Sequence, residues 1–154
     1  MERILVSGCL YGYSCRYDGR SKPCDHPVFL KWKEEGRLVP VCPETDGGLP
    51  VPRDPCQRCE AEILTEDGRS CTAQYMLGAE MALAAARDNN AALCIMKEGS
   101  PSCGVNEIYD GSFTGKKTDG EGLATELLRK NGFKVFSENE LYKAAEYLSL
   151  LKGE

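Results

Sequence analysis

Histidine is almost missing from this chain. His26 is the only one in 154 residues, which excludes histidine-rich zinc sites and any Cys–His nucleophile pair that does not use it. Long apolar runs are missing too. No stretch approaches the ~20 residues that span a bilayer. Residues Met1–Ser7 carry neither an extended apolar segment nor the small-residue cleavage site of a signal peptide. The expectation is a cytoplasmic protein without a membrane partner. An excess of positive charge is also absent. The net charge of -5 argues against binding duplex nucleic acid, which needs a basic face. It leaves room for a small anionic ligand held by a few local arginines.

What the chain has instead is cysteine, nine residues of it. The number is odd, and no secretory signal accompanies it. In that setting cysteines bind metal or do chemistry more often than they form disulfides. With histidine scarce, a metal site here relies on thiolate sulfur, which favours zinc, copper(I) or iron–sulfur clusters.

The hydrophobic pattern alternates strand and helix four times. Strands are expected at residues 3–7, 38–41, 91–96 and 133–136. Helices are expected at 27–35, 72–89, 123–130 and from about Ser137 to Leu151, where Ser137 and Glu140 make a capping-box signature. Pro27 suits a first helical turn, with Asp25 or His26 as its cap. Val28, Leu30 and Trp32 are the core-facing candidates of that helix, and Met76, Ala79, Leu83 and Ala86 those of the next. Cys94 sits inside the most apolar strand and reads as core. The composition fits one domain over residues 1–154, with an irregular, proline-rich excursion at 43–71 and a short strand near 61–65. Alternation of this kind implies an α/β protein. About four parallel strands carry helices on both faces. Pro40 belongs on an edge strand, because proline cannot donate to a ladder. That places the strands in the order 2-1-3-4, as in Rossmann/flavodoxin-like folds, and the ligand beyond the strands' carboxyl ends, between the first and third.

Three cysteines fall at that edge: Cys9 after the first strand, Cys42 after the second and Cys103 after the third. If the three segments converge, their sulfurs hold one centre and leave a position open for chemistry. A [4Fe–4S] cluster with one non-cysteine-ligated iron is the preferred centre. Packing beside strand ends is the competing explanation. Cys15 is a fourth ligand, an auxiliary thiol or a packing residue. Cys56 and Cys59 form a lone Cys-x2-Cys, weak support for a separate zinc site without a second pair. Glu44, two residues after Cys42, is a candidate proton carrier. Gly47 and Gly48 free the backbone for close approach to a ligand. Ser100 and Ser102 orient water or substrate, or simply make a turn. Arg16 and Arg53 are candidate clamps for a phosphate or carbonyl, and Tyr17 for stacking on a base.

Three segments in order carry a resemblance. They are Ser7–Gly19, Val41–Arg53 with its Cys42-Pro43-Glu44 and Gly47-Gly48 runs, and Lys97–Gly104 with Ser100-Pro101-Ser102-Cys103. Together they resemble a bacterial family long catalogued as a domain of unknown function, which includes thiouracil desulfidases. The resemblance covers nearly the whole chain. It implies a [4Fe–4S] cluster held by three cysteines, here Cys9, Cys42 and Cys103, with the fourth iron free, and Glu44 and Ser100 at the reaction site. It also implies an enzyme that removes sulfur from a thiolated pyrimidine (thiouracil, thiouridine or its monophosphate). Net hydrolysis would release hydrosulfide. The competing readings are a sulfur-trafficking or thiolation protein, a non-catalytic iron–sulfur carrier with Cys15 as fourth ligand, and a zinc-stabilised binding domain.

Overall fold

The computed structural model describes residues 1–153. The chain opens with strand β1 (Arg3–Ser7), the short helix α1 (Gly8–Tyr11), helix α2 (Pro27–Glu34), β2 (Leu38–Val41) and the single turn α3 (Pro43–Asp46). Strands β3 (Cys56–Cys59) and β4 (Glu62–Thr65) follow, then the long α4 (Thr72–Asp88), β5 (Ala91–Met96), β6 (Glu107–Tyr109) and β7 (Lys117–Asp119). Helix α5 (Leu123–Lys130), β8 (Val135–Ser137) and α6 (Leu141–Leu151) complete it.

Four of these strands make one parallel sheet in the order β2-β1-β5-β8. Counted along the chain this is the expected 2-1-3-4 order. Pro40 pairs with Val6 from the edge strand β2, where a missing N–H is tolerated. The core strands alternate with period two between two helical layers. Leu5, Cys94 and Met96 face α4 and α5, while Ile4, Val6, Leu93 and Ile95 face α2 and α6. All seven are fully buried. For the aliphatic side chains that is about 1.5–3 kcal/mol each. The central strands are therefore the rigid part on which the edge loops are mounted. Among the described residues no helix is long and apolar enough to cross a membrane.

Some sequence expectations are corrected. In α2 the buried residues are Phe29 and Trp32, and Leu30 is 46% exposed. In α4 the buried face begins at Tyr75, and Met76 is 53% exposed. Trp32, Ala79, Leu83 and Ala86 are buried as expected; each error is a single position displaced by one residue, where apolar side chains lie next to one another in sequence. His26 is the α2 cap: its Nδ1 accepts the Val28 N–H at 3.1 Å. Glu140 does accept the Ser137 N–H at 2.9 Å. The helix nevertheless starts at Leu141, with no side-chain cap. Two antiparallel hairpins, β3–β4 and β6–β7, occupy segments that read mostly as irregular. Their strands are short and mostly polar, so no alternation marks them.

Candidate functional site

The carboxyl edge of the sheet is where the chain brings its chemistry together. β1 runs directly into α1, so Cys9 sits on a helical turn rather than in a loop. β2 ends at Val41 and Cys42 follows as the N-cap of α3, with Pro43 and Glu44 on the turn itself. β5 leads into the turn that carries Ser100, Ser102 and Cys103. Cys9, Cys42 and Cys103 line a single cavity of about 430 Å³, together with Cys15, Glu44 and Ser100. Arg16, Tyr17, Arg53 and Ser102 reach the same cavity.

The thiols are held in unequal states. Burial, and then the charge of Cys42, push Cys9 up to about 11. Burial also pushes Cys103 up, against the pull of hydrogen bonds from Ser7 and Ser102. Cys42 moves the other way, down to about 6, chiefly through the neighbouring Cys15 thiol, which is raised in turn; Cys42 Sγ also lies 3.7 Å from the Cys15 carbonyl oxygen. Binding a cationic centre would strip the remaining protons from such a set. Among the described residues no three His, Cys, Asp or Glu side chains stand close enough to hold a single metal ion. A multi-iron cluster spreads its thiolates wider than one ion does, and an all-sulfur set around one cavity fits that demand. Cys56 and Cys59 do not converge on a zinc site. The Cys56 sulfur faces Cys71, 3.4 Å away, while the Cys59 sulfur faces the Gly111 carbonyl at 3.7 Å.

Beside the thiols lies a carboxylate with every lone pair addressed. Glu44 Oε1 accepts from Arg53 Nη2 (2.9 Å), Arg53 Nε (3.2 Å) and the Tyr75 hydroxyl (2.9 Å). Oε2 stands 2.8 Å from Ser102 Oγ and 3.0 Å from Ser100 Oγ. The Glu44 and Arg53 side chains are only 14% and 6% exposed, so this pair is screened little by solvent. Ser100 Oγ accepts the backbone N–H groups of Ser102 and Cys103 (3.0 and 3.1 Å). Its own proton is thus turned towards Glu44 Oε2 or Ser102 Oγ, 2.8 Å away. Ser102 Oγ in turn lies 3.5 Å from Cys103 Sγ. A hydroxyl relay therefore connects the carboxylate to the thiol pocket.

The chain is also similar to known proteins. A family model described as 2-thiouracil desulfurase matches residues 4–140. The chain belongs to the 2-thiouracil desulfurase family. The uncharacterized protein YbbK of Bacillus subtilis (strain 168) is 42% identical over 148 residues, covering 90% of this chain and 97% of its own. A solved structure, the [4Fe-4S]-dependent thiouracil desulfidase TudS, superposes with a TM-score of 0.95 at 45% identity. The match covers 97% of this chain and 99% of TudS.

Within this member of the 2-thiouracil desulfurase family, three placements differ from the sequence reading. Gly47 and Gly48 do not line the cavity. A Cβ on Gly47 would lie 2.0 Å from the Gln74 carbonyl oxygen, so this glycine serves the packing of α3 on α4. Gly48 takes a φ of +100° at the turn that leaves α3. Arg53 lines the cavity, yet its guanidinium is committed to Glu44, the Cys15 carbonyl (3.0 Å) and the Pro50 carbonyl (3.1 Å). Two site residues went unread. Tyr75 lies next to Met76, to which the apolar count assigned the core position. Glu98 accepts the backbone N–H groups of Val105, Asn106 and Glu107 at 2.6, 2.8 and 3.1 Å, closing the turn that presents Cys103. A lone acidic residue after a strand gives no signal of that role.

Proposed function

We propose that this chain is an iron–sulfur-dependent desulfidase acting on thiolated pyrimidines. Cys9, Cys42 and Cys103 would hold a [4Fe–4S] cluster, leaving one iron without a cysteine ligand. The observation that carries the reading is the meeting of three thiols and the Glu44–Ser100–Ser102 relay on one cavity. When bound, the cluster supplies a soft Lewis-acid site for a thiocarbonyl sulfur, which an oxygen analogue occupies less well. The protein's part is proton transfer and positioning. Arg53 and Tyr75 occupy Oε1 of Glu44, so Oε2 is the basic atom. A water proton passes to Oε2, directly or through a serine hydroxyl, as the water oxygen bonds to the thiocarbonyl carbon. The relay returns that proton to the sulfur as the carbon–sulfur bond breaks, and the sulfur leaves as hydrosulfide. The carbonyl forms as the new hydroxyl gives the water's second proton to Oε2, from which it passes to solvent. One water is consumed and no net redox change occurs.

Thiouracil, thiouridine and its monophosphate share the reacting group. Tyr17 on the cavity rim suits a base face, and Arg16 a phosphate. Arg53 is better placed to orient Glu44 than to clamp substrate. Cys15 is an auxiliary thiol that steadies Cys42. The decisive experiment is anaerobic reconstitution with iron and sulfide, followed by loss of thiouracil absorbance and release of hydrosulfide. Glu44→Gln is expected to lower kcat by about 10²–10⁴-fold while the visible spectrum of the cluster persists. Cys9→Ala is expected to lose that spectrum, and Cys15→Ala to keep it. Full activity in Glu44→Gln, or loss of the cluster in Cys15→Ala, would remove the mechanism or favour a four-cysteine carrier.

A further inference from the structure

Cys56 and Cys71 take no part in the thiol cavity's proposed centre, yet their sulfurs stand 3.4 Å apart. Backbone structure holds them there. Cys56 opens β3, which the β3–β4 hairpin folds back. The Cys71 N–H donates to the Ile63 carbonyl on β4 at 2.8 Å, and the Ile63 N–H donates to Thr72 Oγ1 at 2.9 Å. The approach is therefore not an accident of two loose rotamers. A disulfide has its sulfurs about 2.0 Å apart, so the observed separation leaves a short closure to make. Cys56 is buried and Cys71 half-buried, so Cys71 offers the more accessible sulfur. Cys59, the other half of the Cys-x2-Cys motif, points elsewhere, to Gly111.

We propose that Cys56 and Cys71 are a redox modification site, forming a reversible disulfide that clamps β3 to the start of α4. A low-molecular-weight disulfide is the oxidant. The Cys71 thiolate attacks one of its sulfurs, forming a mixed disulfide and expelling one thiolate. Cys56 gives its proton to solvent and attacks the Cys71 sulfur, breaking the mixed disulfide and expelling the second. Two protein thiols are oxidised, and one small disulfide is reduced to two thiols. Burial and the nearby Cys71 push Cys56 up to about 12, in keeping with its role as the second, intramolecular attacker. One half of the clamp borders the relay, because Cys56 itself lines the cavity that holds Glu44, Ser100 and Ser102. Tyr75, whose hydroxyl holds Glu44, donates its N–H to the Cys71 carbonyl at 3.1 Å. The site does not depend on the desulfidase reading.

The test uses the full chain, prepared anaerobically and treated with oxidised glutathione. Free thiols are then alkylated, and the non-reduced digest is analysed by mass spectrometry. The expected product is a peptide pair joined through Cys56 and Cys71 and released by dithiothreitol. Tm is expected to rise by about 5–10 °C, from cross-linking a segment of this length in a chain of this size. Cys71→Ser, at the half-buried position, should form no such pair and show no shift; Cys56→Ala checks the other partner. Alkylation of both cysteines after treatment, a stable glutathione adduct on Cys71, or an unchanged Tm in the cross-linked protein would overturn the proposal.

Discussion

Glu44 is a carboxylate largely withdrawn from solvent, and its neighbours satisfy it together. Arg53 supplies the countercharge, and Tyr75, Ser100 and Ser102 supply hydroxyl contacts. Removing one partner of a buried ion pair leaves an uncompensated charge, at a cost of about 3–5 kcal/mol. Arg53→Met should therefore lower stability in urea by that amount, far more than loss of an exposed pair such as Lys130–Glu126 at 3.2 Å, worth about 0–1 kcal/mol. A variant as stable as the parent would mean that Arg53 does not balance Glu44. Cys94 poses the opposite problem. Burial in the sheet pushes it up to about 12, so the fold disfavours its thiolate. Its contribution is complete below the ordinary thiol range near pH 9 and is lost as pH rises from there to about 12. Cys94→Ala should lose packing at neutral pH and show a shallower further decline in alkali. Parallel alkaline slopes, measured by urea melts across that window, would remove the assignment.

The turn α3 carries Glu44, and its position depends on two places where backbone meets backbone. A Cβ on Gly78 of α4 would lie 1.7 Å from the Pro43 carbonyl oxygen, as close a conflict as that at Gly47. In isolation Gly78→Ala would favour the helix by about 1 kcal/mol. Here the clash opposes that gain, and overpacking typically costs about 1–3 kcal/mol. The expected net result is destabilisation, with a fall in kcat because α3 is displaced and Glu44 with it. A Gly78→Ala protein that is more stable in thermal melts and fully active would show that α3 is free to shift. This is also where the sequence was hardest to read. The parallel sheet was legible because β5 is wholly apolar, β1 has an apolar centre and Pro40 marks an edge. The cysteine positions were legible because each follows such a strand. Gly78 inside a helix gave no sign that another element rests on it. Gly47 suggested a ligand because glycine permits close approach without saying what approaches. Tyr75 was passed over for its neighbour Met76, although its hydroxyl is the part that reaches Glu44. Of the two hairpins only β4 was read; the other three strands are too short and polar to show a period.

At the scale of the whole molecule, a rigid sheet bears an edge whose segments are tied down unequally. The turn presenting Cys103 is closed by the Glu98 carboxylate on three successive backbone N–H groups. The segment between α1 and α2, which follows Cys9 and contains Cys15, Arg16 and Tyr17, is longer and is anchored more sparsely along its length. Its backbone ties to the rest include Lys22 to Cys9, Cys24 to Leu10 and Arg53 to Tyr17. A cluster spanning Cys9, Cys42 and Cys103 would join three elements, and binding to the folded state alone adds stability. That added stability should be read most strongly where intrinsic anchoring is weakest. Hydrogen exchange of cluster-loaded and cluster-free protein should therefore differ most at residues 8–26. The difference should be smaller at 98–107 and least in β1 and β5, whose protection follows the global unfolding free energy. Equal protection of residues 8–26 in the two forms would mean that the cluster does not draw Cys9 to Cys42 and Cys103, and the three-cysteine centre would have to be abandoned even if the preparation bound iron.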